Sequence, residues 1–460
     1  MVGRSLYVFS AKMVGYAIRL TMPIALVRLL TKAEFGGYRQ FFLIETLIAM
    51  IFAFGVNQAL YYFIPRDRKN AGSYYLNCLL LNVATFGTAF IVVSFVRQPV
   101  SEFLKMPVLA EQFWQVSLYT TMIMLIVATD SYLLARQKVR QSAFFEIGGQ
   151  ILTSAVTLAA AFATRRLDLI LTAIAVARAG QALIMLGYVH WGLHGFAATR
   201  YFFDIWPQIR YGLVLGFAGT LFTLLLRMHE VVVSSRFGPE VYAVYSAGCT
   251  HIPFLNFYLQ GIAAVSLGRF AELVKHGDTD GIRRLWNEIM VSLFSVAVPI
   301  TLFLVAIAEP LIVVMFTERY ADAVSIFRVH ALMRFALVWN ASLVLRALGR
   351  NDILLYINIA ALILGVPILL VGISAFGLIG AIASEFLLVL LARVAGLVIL
   401  NRISGLGLQY GILPRDALGF YLKVWRKGLG LVRDRFRSSS NRSAPPPRER
   451  SLGKRDAGTK

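Results

Sequence analysis

The stretch "GYAIRLTMPIALVRLL", Gly15 to Leu30, decides the class of this chain. It is apolar over most of a bilayer's width, yet Arg19 sits near its middle, Lys12 just upstream and Arg28 near its far end. A charge at the bilayer centre costs roughly 2.5 kcal/mol or more, so a span that keeps one turns it toward protein or water. Outward from this stretch, apolar runs of about 20 residues, the length that crosses a bilayer core, recur to residue 402.

Composition agrees. Of 460 residues 58% are hydrophobic and only 15% charged, with mean hydropathy +0.69, against about a quarter charged in soluble domains. The chain reads as an all-α polytopic membrane protein. "MVGRSLYVFSAKMVGYAIRL" has no compact apolar core with a small-residue cleavage site, so the first helix is expected to stay. Cys78 and Cys249 lie far apart in apolar segments and suggest neither a disulfide framework nor a metal site. The net charge is +21, and Arg402 to Lys460 holds 14 Lys/Arg against 4 Asp/Glu. No basic patch with interleaved aromatics accompanies it, which excludes nucleic acid as a partner.

Hydropathy places about 12 transmembrane helices, centred on Tyr16, Met50, Ala84, Leu125, Val156, Ala177, Leu221, Phe254, Ala297, Ala336, Ile363 and Val389. They fall into two six-helix lobes, residues 1–200 and 201–402, joined by a loop around "HGFAATRYFFDIWPQIRYG". With the N-terminus inside, the cytoplasmic loops carry 15 Lys/Arg and the opposite loops 8, so the expected topology is N-in/C-in. Residues 403–437 follow as a basic amphipathic cytoplasmic segment. In "LPRDALGFYLKVWRKGLGLVRDRF", Leu418, Tyr421, Leu422, Trp425, Leu429 and Val432 share one face and Lys423 and Lys427 the other. That pattern suits anionic lipids of the inner leaflet. Residues 438–460 have almost nothing to bury and are expected to form a disordered basic tail.

The halves echo each other. "KAEFGGYRQ" follows the first span and "GPEVYAVYS" the seventh, with Tyr38 and Tyr245 207 apart; "LTAIA" from Leu171 recurs as "IGAIA" from Ile379, 208 apart. These offsets, with the six-plus-six layout, make the two lobes pseudo-repeats, and transporters built this way hold substrate between their halves. The register matches Arg19 with Arg227. Lys12, Tyr16, Arg19 and Pro23 share a face of the first helix, and Gly212, Gly216, Thr220, Thr223, Arg227 and Glu230 form a small-and-polar stripe on the seventh.

Other ionisable residues within apolar segments are Glu45, Asp130, Arg178, His229, His251, Arg328, His330, Arg334, Glu385 and Arg393. Arg and Lys outnumber the acids. A cationic lumen of Arg19, Arg227, Lys12, Arg178 and Arg334 suits an anionic, phosphate-bearing substrate. Glu45, Asp130 and Glu230 are candidates for ion coupling or for neutralising neighbouring arginines.

Several stretches resemble bacterial polysaccharide-export flippases, the polysaccharide-transporter family of the multidrug/oligosaccharidyl-lipid/polysaccharide exporter superfamily. "LTKAEFGGYRQFFLIETLIAMIFAFGVNQALYYFIPR" is similar to the family's opening through Gly55, Asn57, Gln58, Ile64, Pro65 and Arg66. "FGPEVYAVYSAG", "LRALGRNDILLYINIAALILGV" and "FGLIGAIASE" resemble its later junctions, and the likeness covers roughly residues 1–402. It implies two six-helix lobes around a V-shaped cavity open alternately to each side. It also implies a polyprenyl-pyrophosphate-linked oligosaccharide as cargo, flipped across the bacterial inner membrane for surface polysaccharide assembly, with polymerase or export machinery as partners. Members often carry an acid at the position of His229, where Glu230 follows here, and no counter-ion role is carried over.

No cofactor and no enzyme activity is expected. No "GxxxxGK[ST]" phosphate loop occurs. "RQPVSEFLKMPVLAEQ" and "AEPLIVVMFTERYADA" are too short for a catalytic external domain and hold no nucleophile–base constellation. The alternatives are an ion-coupled multidrug antiporter of the same superfamily, which favours acids in its lumen, and a non-catalytic partner of a polysaccharide synthase.

Overall fold

The computed structural model describes residues 15, 18, 20–192, 205–250, 252–408, 419, 421 and 422. Lys12, Arg19 and His251, the tail, and nearly all of the amphipathic segment lie outside the described residues. Every regular element among the described residues is helical. Hydrocarbon offers the backbone no partner, and a helix satisfies its polar groups internally.

In chain order the helices are α1 (Leu20–Leu29), α2 (Lys32–Phe52), α3 (Val56–Arg66), α4 (Ala71–Leu104), α5 (Pro107–Glu111), α6 (Phe113–Ala135), α7 (Val139–Thr164) and α8 (Leu167–Gly187). There follow α9 (Ile205–Gly248), α10 (Pro253–Lys275), α11 (Thr279–Ala306), α12 (Ala308–Phe316), α13 (Ala323–Ala336), α14 (Ser342–Ala347) and α15 (Asn351–Ser404). Seven of them are each long and apolar enough to cross a membrane. The chain is a multi-pass membrane protein.

The breaks add what hydropathy misses. The second span is interrupted at Ala53–Gly55 and the eighth between Gly248 and Pro253. The tenth is divided among α12, α13 and α14. Gly238 bends α9 into two arms, with φ 80° and ψ −176°, a conformation only glycine adopts readily. Gly377 bends α15 in the same manner. The linker between the halves is shorter than expected. Helix α9 starts at Ile205, so "IWPQIRYG" is helix, with Pro207 tolerated in the first turn, where no intrahelical donor is lost.

The repeat register holds in the structure. Helix α2 begins at Lys32 and the second arm of α9 at Pro239, 207 apart; α4 begins at Ala71 and α11 at Thr279, 208 apart. Thr31 and Glu34 form a capping box that starts α2, satisfying two orphan donors.

The core divides into three. One cluster, with Phe35, Tyr38, Val108, Ile170, Tyr245, Phe316 and Ala381, draws on both halves and collects the turns that follow the odd-numbered spans. A second, with Leu60, Tyr75, Tyr132 and Met185, belongs to the first half. A third, with Phe270, Trp286, Leu345 and Leu400, belongs to the second. The halves thus share a core at one end and have separate cores at the end where α8 leaves and α15 finishes, where the start of α9 rests on α3 and α4 of the first half.

The joined end is fastened by cations that cap helix ends across the divide. Arg28 donates to the carbonyls of Val314 (2.6 Å) and Met315 (3.3 Å) in the last turn of α12. Arg319 donates to Val27 at the end of α1 (3.0 Å). Lys105 donates to Arg236 at the end of the first arm of α9 (2.9 Å), and Arg39 to Ser246 near the end of the second (3.1 Å). Carbonyls of a last helical turn lack intrahelical donors and carry the negative end of the helix dipole, so cations complement them. Arg28 and Arg236 correspond in the repeat, as do Lys105 and Val314 to within a residue, so the two contacts are approximate mates. At the kink, α2 and α9 meet closely: a Cβ on Gly36 would lie 1.9 Å from the Pro239 carbonyl oxygen.

Candidate functional site

The buried charges of the second half gather around the α9 kink. His229 and Glu230 stand two turns before Gly238, and Tyr242 and Tyr245 follow one and two turns after it. Helical spacing on each arm turns all four inward across the bend. Tyr242 Oη donates to Glu230 Oε2 at 2.8 Å. Tyr245 Oη lies 2.5 Å from His229 Nδ1. The Cys249 thiol hydrogen-bonds Tyr245 in turn. Two polar contacts therefore staple the arms together on the inside of the kink.

The charges are paired. Arg227 Nη1 donates to Glu230 Oε1 from the preceding turn. His229 Nε2 reaches Glu385 Oε2 on the second arm of α15 at 2.8 Å. His229, Glu230 and Glu385 are each 4% exposed, while the Arg227 side chain is 35% exposed. Buried charges of this kind survive only when matched. Arg39 approaches from α2, held on the Ser246 carbonyl. The cluster thus touches three elements, α2, α9 and α15, beside the core that joins the halves.

The first half holds a different site. Arg178 on α8 is buried. Its Nη1 donates to Gln181 Oε1 at 2.7 Å and its Nη2 to Gln150 Oε1 of α7 at 3.1 Å. Both partners are neutral amides, and Nε is buried with no partner among the described residues. Ser154 and Thr153 line α7 beside Gln150. The arrangement is a cation solvated by dipoles, with donor capacity left over.

The remaining sequence candidates are dispersed. Asp130 on α6 accepts from Ser142 Oγ of α7. Glu45 is half-buried on α2, next to Thr46. Arg334 lies on α13, and its side chain is outside the description. The polar stripe of the seventh span divides. Gly212 and Gly216 pack on the backbone of Phe54–Val56, and Thr220 Oγ1 donates to the Met50 carbonyl at 3.0 Å. That part of the stripe is an interface with the second span, and only its end, Arg227 and Glu230, enters the charged cluster. The sequence marks His229 and Glu385 as intramembrane ionisable residues, but nothing in it signals that they pair. In "VYAVYS" Tyr245 marks the repeat, and its contact with His229 leaves no signal in the sequence.

The sequence matches the family described as polysaccharide biosynthesis protein over residues 25–325. The chain belongs to that family. Among curated proteins none matches it significantly. Solved structures share its fold. An inward-facing multidrug resistance MATE family transporter of the MOP superfamily superposes with TM-score 0.71 at 14% identity, covering 87% of this chain and 98% of that one. The outward-facing conformation of a transporter of that description gives TM-score 0.60 at 15% identity, covering 88% and 96%. A MOP superfamily transporter from Pyrococcus furiosus Vc1, described as having a binding pocket of reverse polarity, gives 0.60 at 14% identity over 88% and 96%. This polysaccharide biosynthesis family member therefore has the two-lobed, about 12-helix fold of the MOP superfamily, as the sequence resemblance implied.

Proposed function

We propose that the protein is a transporter that flips a polyprenyl-pyrophosphate-linked oligosaccharide across the bacterial inner membrane by alternating access. The observation that carries this reading is the divided core in a polysaccharide biosynthesis family member: one apolar cluster joins the halves at one end, and each half keeps its own core at the other. Halves joined in this way rock about the shared end, exposing the space between them to one side at a time. With the N-terminus in the cytoplasm, as loop charge predicts, the end with separate cores, where the start of α9 still rests on α3 and α4, faces inward.

The cargo's pyrophosphate needs cationic partners. Arg178 offers a guanidinium that only amides now satisfy, and Arg227 offers one that is partly exposed. Phosphate oxygens fit guanidinium forks better than amide carbonyls do. Lys12, Arg19 and Arg334 complete the proposed cationic lining, and Glu45, Asp130 and Glu230 are the proposed coupling acids. The basic C-terminal segment would rest on anionic lipids and lie near polymerase or export machinery. No bond of the cargo is broken.

The experiment is transbilayer movement of a polyprenyl-pyrophosphate oligosaccharide in proteoliposomes. Protein-dependent movement that falls at least tenfold in Arg178→Met and in the Arg19→Ala/Arg227→Ala double variant supports the reading and its site. Movement unchanged in both keeps the flippase and removes the site. Absence of movement, with extrusion of a cationic drug instead, favours a multidrug antiporter.

A further inference from the structure

The chain does not leave the molecule where its last long helix ends. Gly405 and Gly407 turn it with positive φ, and Leu406 and Leu408 are then 2% and 3% exposed, inside the core of the second half. Arg283, near the start of α11, donates to the Leu406 carbonyl from Nε and to the Gly405 carbonyl from Nη2 at 3.4 Å. Asn401 brackets Leu408: its Nδ2 donates to the Leu408 carbonyl at 3.0 Å, and its Oδ1 accepts from the Leu408 N–H at 2.7 Å. Farther along, Tyr421 comes back to the same helix and donates its hydroxyl to the Ser295 carbonyl of α11.

Pro299 makes that carbonyl available. In a helix the Ser295 oxygen takes the N–H four residues on, and the residue there is proline, which has none. A carbonyl freed inside a membrane needs another donor, and Tyr421 supplies it. Ser295 lies seven residues past Glu288, the last charge before the apolar run of α11. At 1.5 Å per residue that is about 10 Å into the hydrocarbon. An amphipathic helix lying in the interface sinks its apolar face about 5–10 Å. Gly419, Tyr421 and Leu422 are helical, so a tyrosine on such a face reaches the carbonyl while its backbone stays near the headgroups. Tyr421 and Leu422, both exposed, then meet lipid.

We infer that the proline notch of α11 is a docking seat for the segment that follows α15, and that the seated segment attaches the second half to anionic lipid of the inner leaflet. Loop charge puts this end of the chain inside, and the seat is independent of what the transporter carries. The occupant is the chain's own segment: Tyr421 is on the seat, and Leu406 and Leu408 already lead the backbone into the second half. The lipid partner follows from charge, since Lys423, Arg426 and Lys427 come directly after the anchor in sequence and basic residues beside a membrane surface are drawn to anionic headgroups. Helix α11 packs on α10, α12 and α13, all of the second half. The seat therefore fastens one half to the leaflet and does not bridge the two.

The test uses the full chain in lipid nanodiscs, with a nitroxide on Leu422→Cys; native Cys78 and Cys249 are buried. Collision with oxygen, which prefers hydrocarbon, against collision with a water-soluble nickel chelate gives the depth of the label. With phosphatidylglycerol present, most labels are expected below the headgroups. Tyr421→Phe keeps the ring and deletes the donor, and is expected to shift the seated-to-free ratio about tenfold toward free. Pro299→Ala returns the helix's own donor to the Ser295 carbonyl and is expected to shift the ratio the same way. Alanine suits a helix interior better than proline, so this variant is expected to keep its thermal midpoint. Exchanging phosphatidylglycerol for phosphatidylcholine, or raising salt, is expected to free the wild-type segment several-fold. A label in water in every lipid, or a depth that ignores Tyr421→Phe and Pro299→Ala alike, overturns the seat. A depth equal in charged and neutral lipid overturns the lipid attachment. None of these outcomes bears on whether the protein moves a lipid-linked oligosaccharide, which the proteoliposome assay decides separately.

Discussion

Arg39 and Ser246 occupy corresponding positions in the two halves, 207 residues apart, and they touch: Arg39 Nη2 donates to the Ser246 carbonyl at 3.1 Å. Corresponding points of two pseudo-symmetric copies approach one another only beside the axis that relates them. The neighbouring contact of Gly36 with Pro239 lies in the same two turns. The pivot of the molecule is therefore built from the repeated turns themselves.

Removing the Arg39 contact is expected to loosen the pivot. Arg39→Met keeps most of the apolar stem and deletes a charged hydrogen bond worth about 1.5 kcal/mol, roughly a tenfold shift in a two-state population. Label distances at the joined end, between Lys32→Cys and Asp322→Cys, are expected to lengthen in a larger fraction of molecules.

Gly36→Ala is expected to act more strongly. The added Cβ meets the Pro239 carbonyl at 1.9 Å, a backbone atom with no rotamer to change. Overpacking of this kind costs about 1–3 kcal/mol. The thermal midpoint in detergent is expected to fall, with protease sensitivity rising at the turns before α2 and in the middle of α9. An unchanged midpoint would mean that the α2–α9 approach is looser than described.

Arg227→Met leaves Glu230 buried with Tyr242 but without its cation. Stranding a fully buried charge costs about 3–5 kcal/mol, and the partial exposure of Arg227 lowers the expectation to about 2 kcal/mol. Adding Glu230→Gln is expected to recover most of it. A double-mutant cycle on thermal midpoints measures the coupling, and additivity of the two losses would refute the pair.

Arg178 separates binding from stability. Arg178→Met strands the amide oxygens of Gln150 and Gln181, at about 1–3 kcal/mol, and removes the proposed phosphate contact. Arg178→Lys restores charge without the fork. Lysine is expected to recover the thermal midpoint in large part but transport only in part. Equal recovery of both would make Arg178 a structural residue.

Much of the architecture is legible in the sequence because hydrocarbon imposes length. Spans show as apolar runs, and Tyr38 with Tyr245 gave the register on which the helix starts at Lys32 and Pro239 agree. The site is less legible. A span surrounded by lipid and protein is apolar on nearly every side, so its pattern hides which face meets which helix. Nothing in the spacing of His229 and Glu385, 156 residues apart, announces that they meet. The break at Ala53–Gly55 is hidden in the sequence because its residues are as apolar as an unbroken span. The seventh-span stripe is ambiguous in the sequence. Small residues mark close helix approach as readily as a lumen, and Gly212 and Gly216 do the former.

The cross-divide caps have a consequence for how sequence change is tolerated. Arg28, Arg39, Lys105 and Arg319 each bind main-chain oxygens. An oxygen of the main chain survives any substitution at its own residue. A saturation scan is therefore expected to score the four donors as sensitive and Val27, Arg236, Ser246 and Val314 as permissive with respect to this latch, although each pair shares one bond. The donor side can drift or be tuned one residue at a time, with no compensating change across the divide.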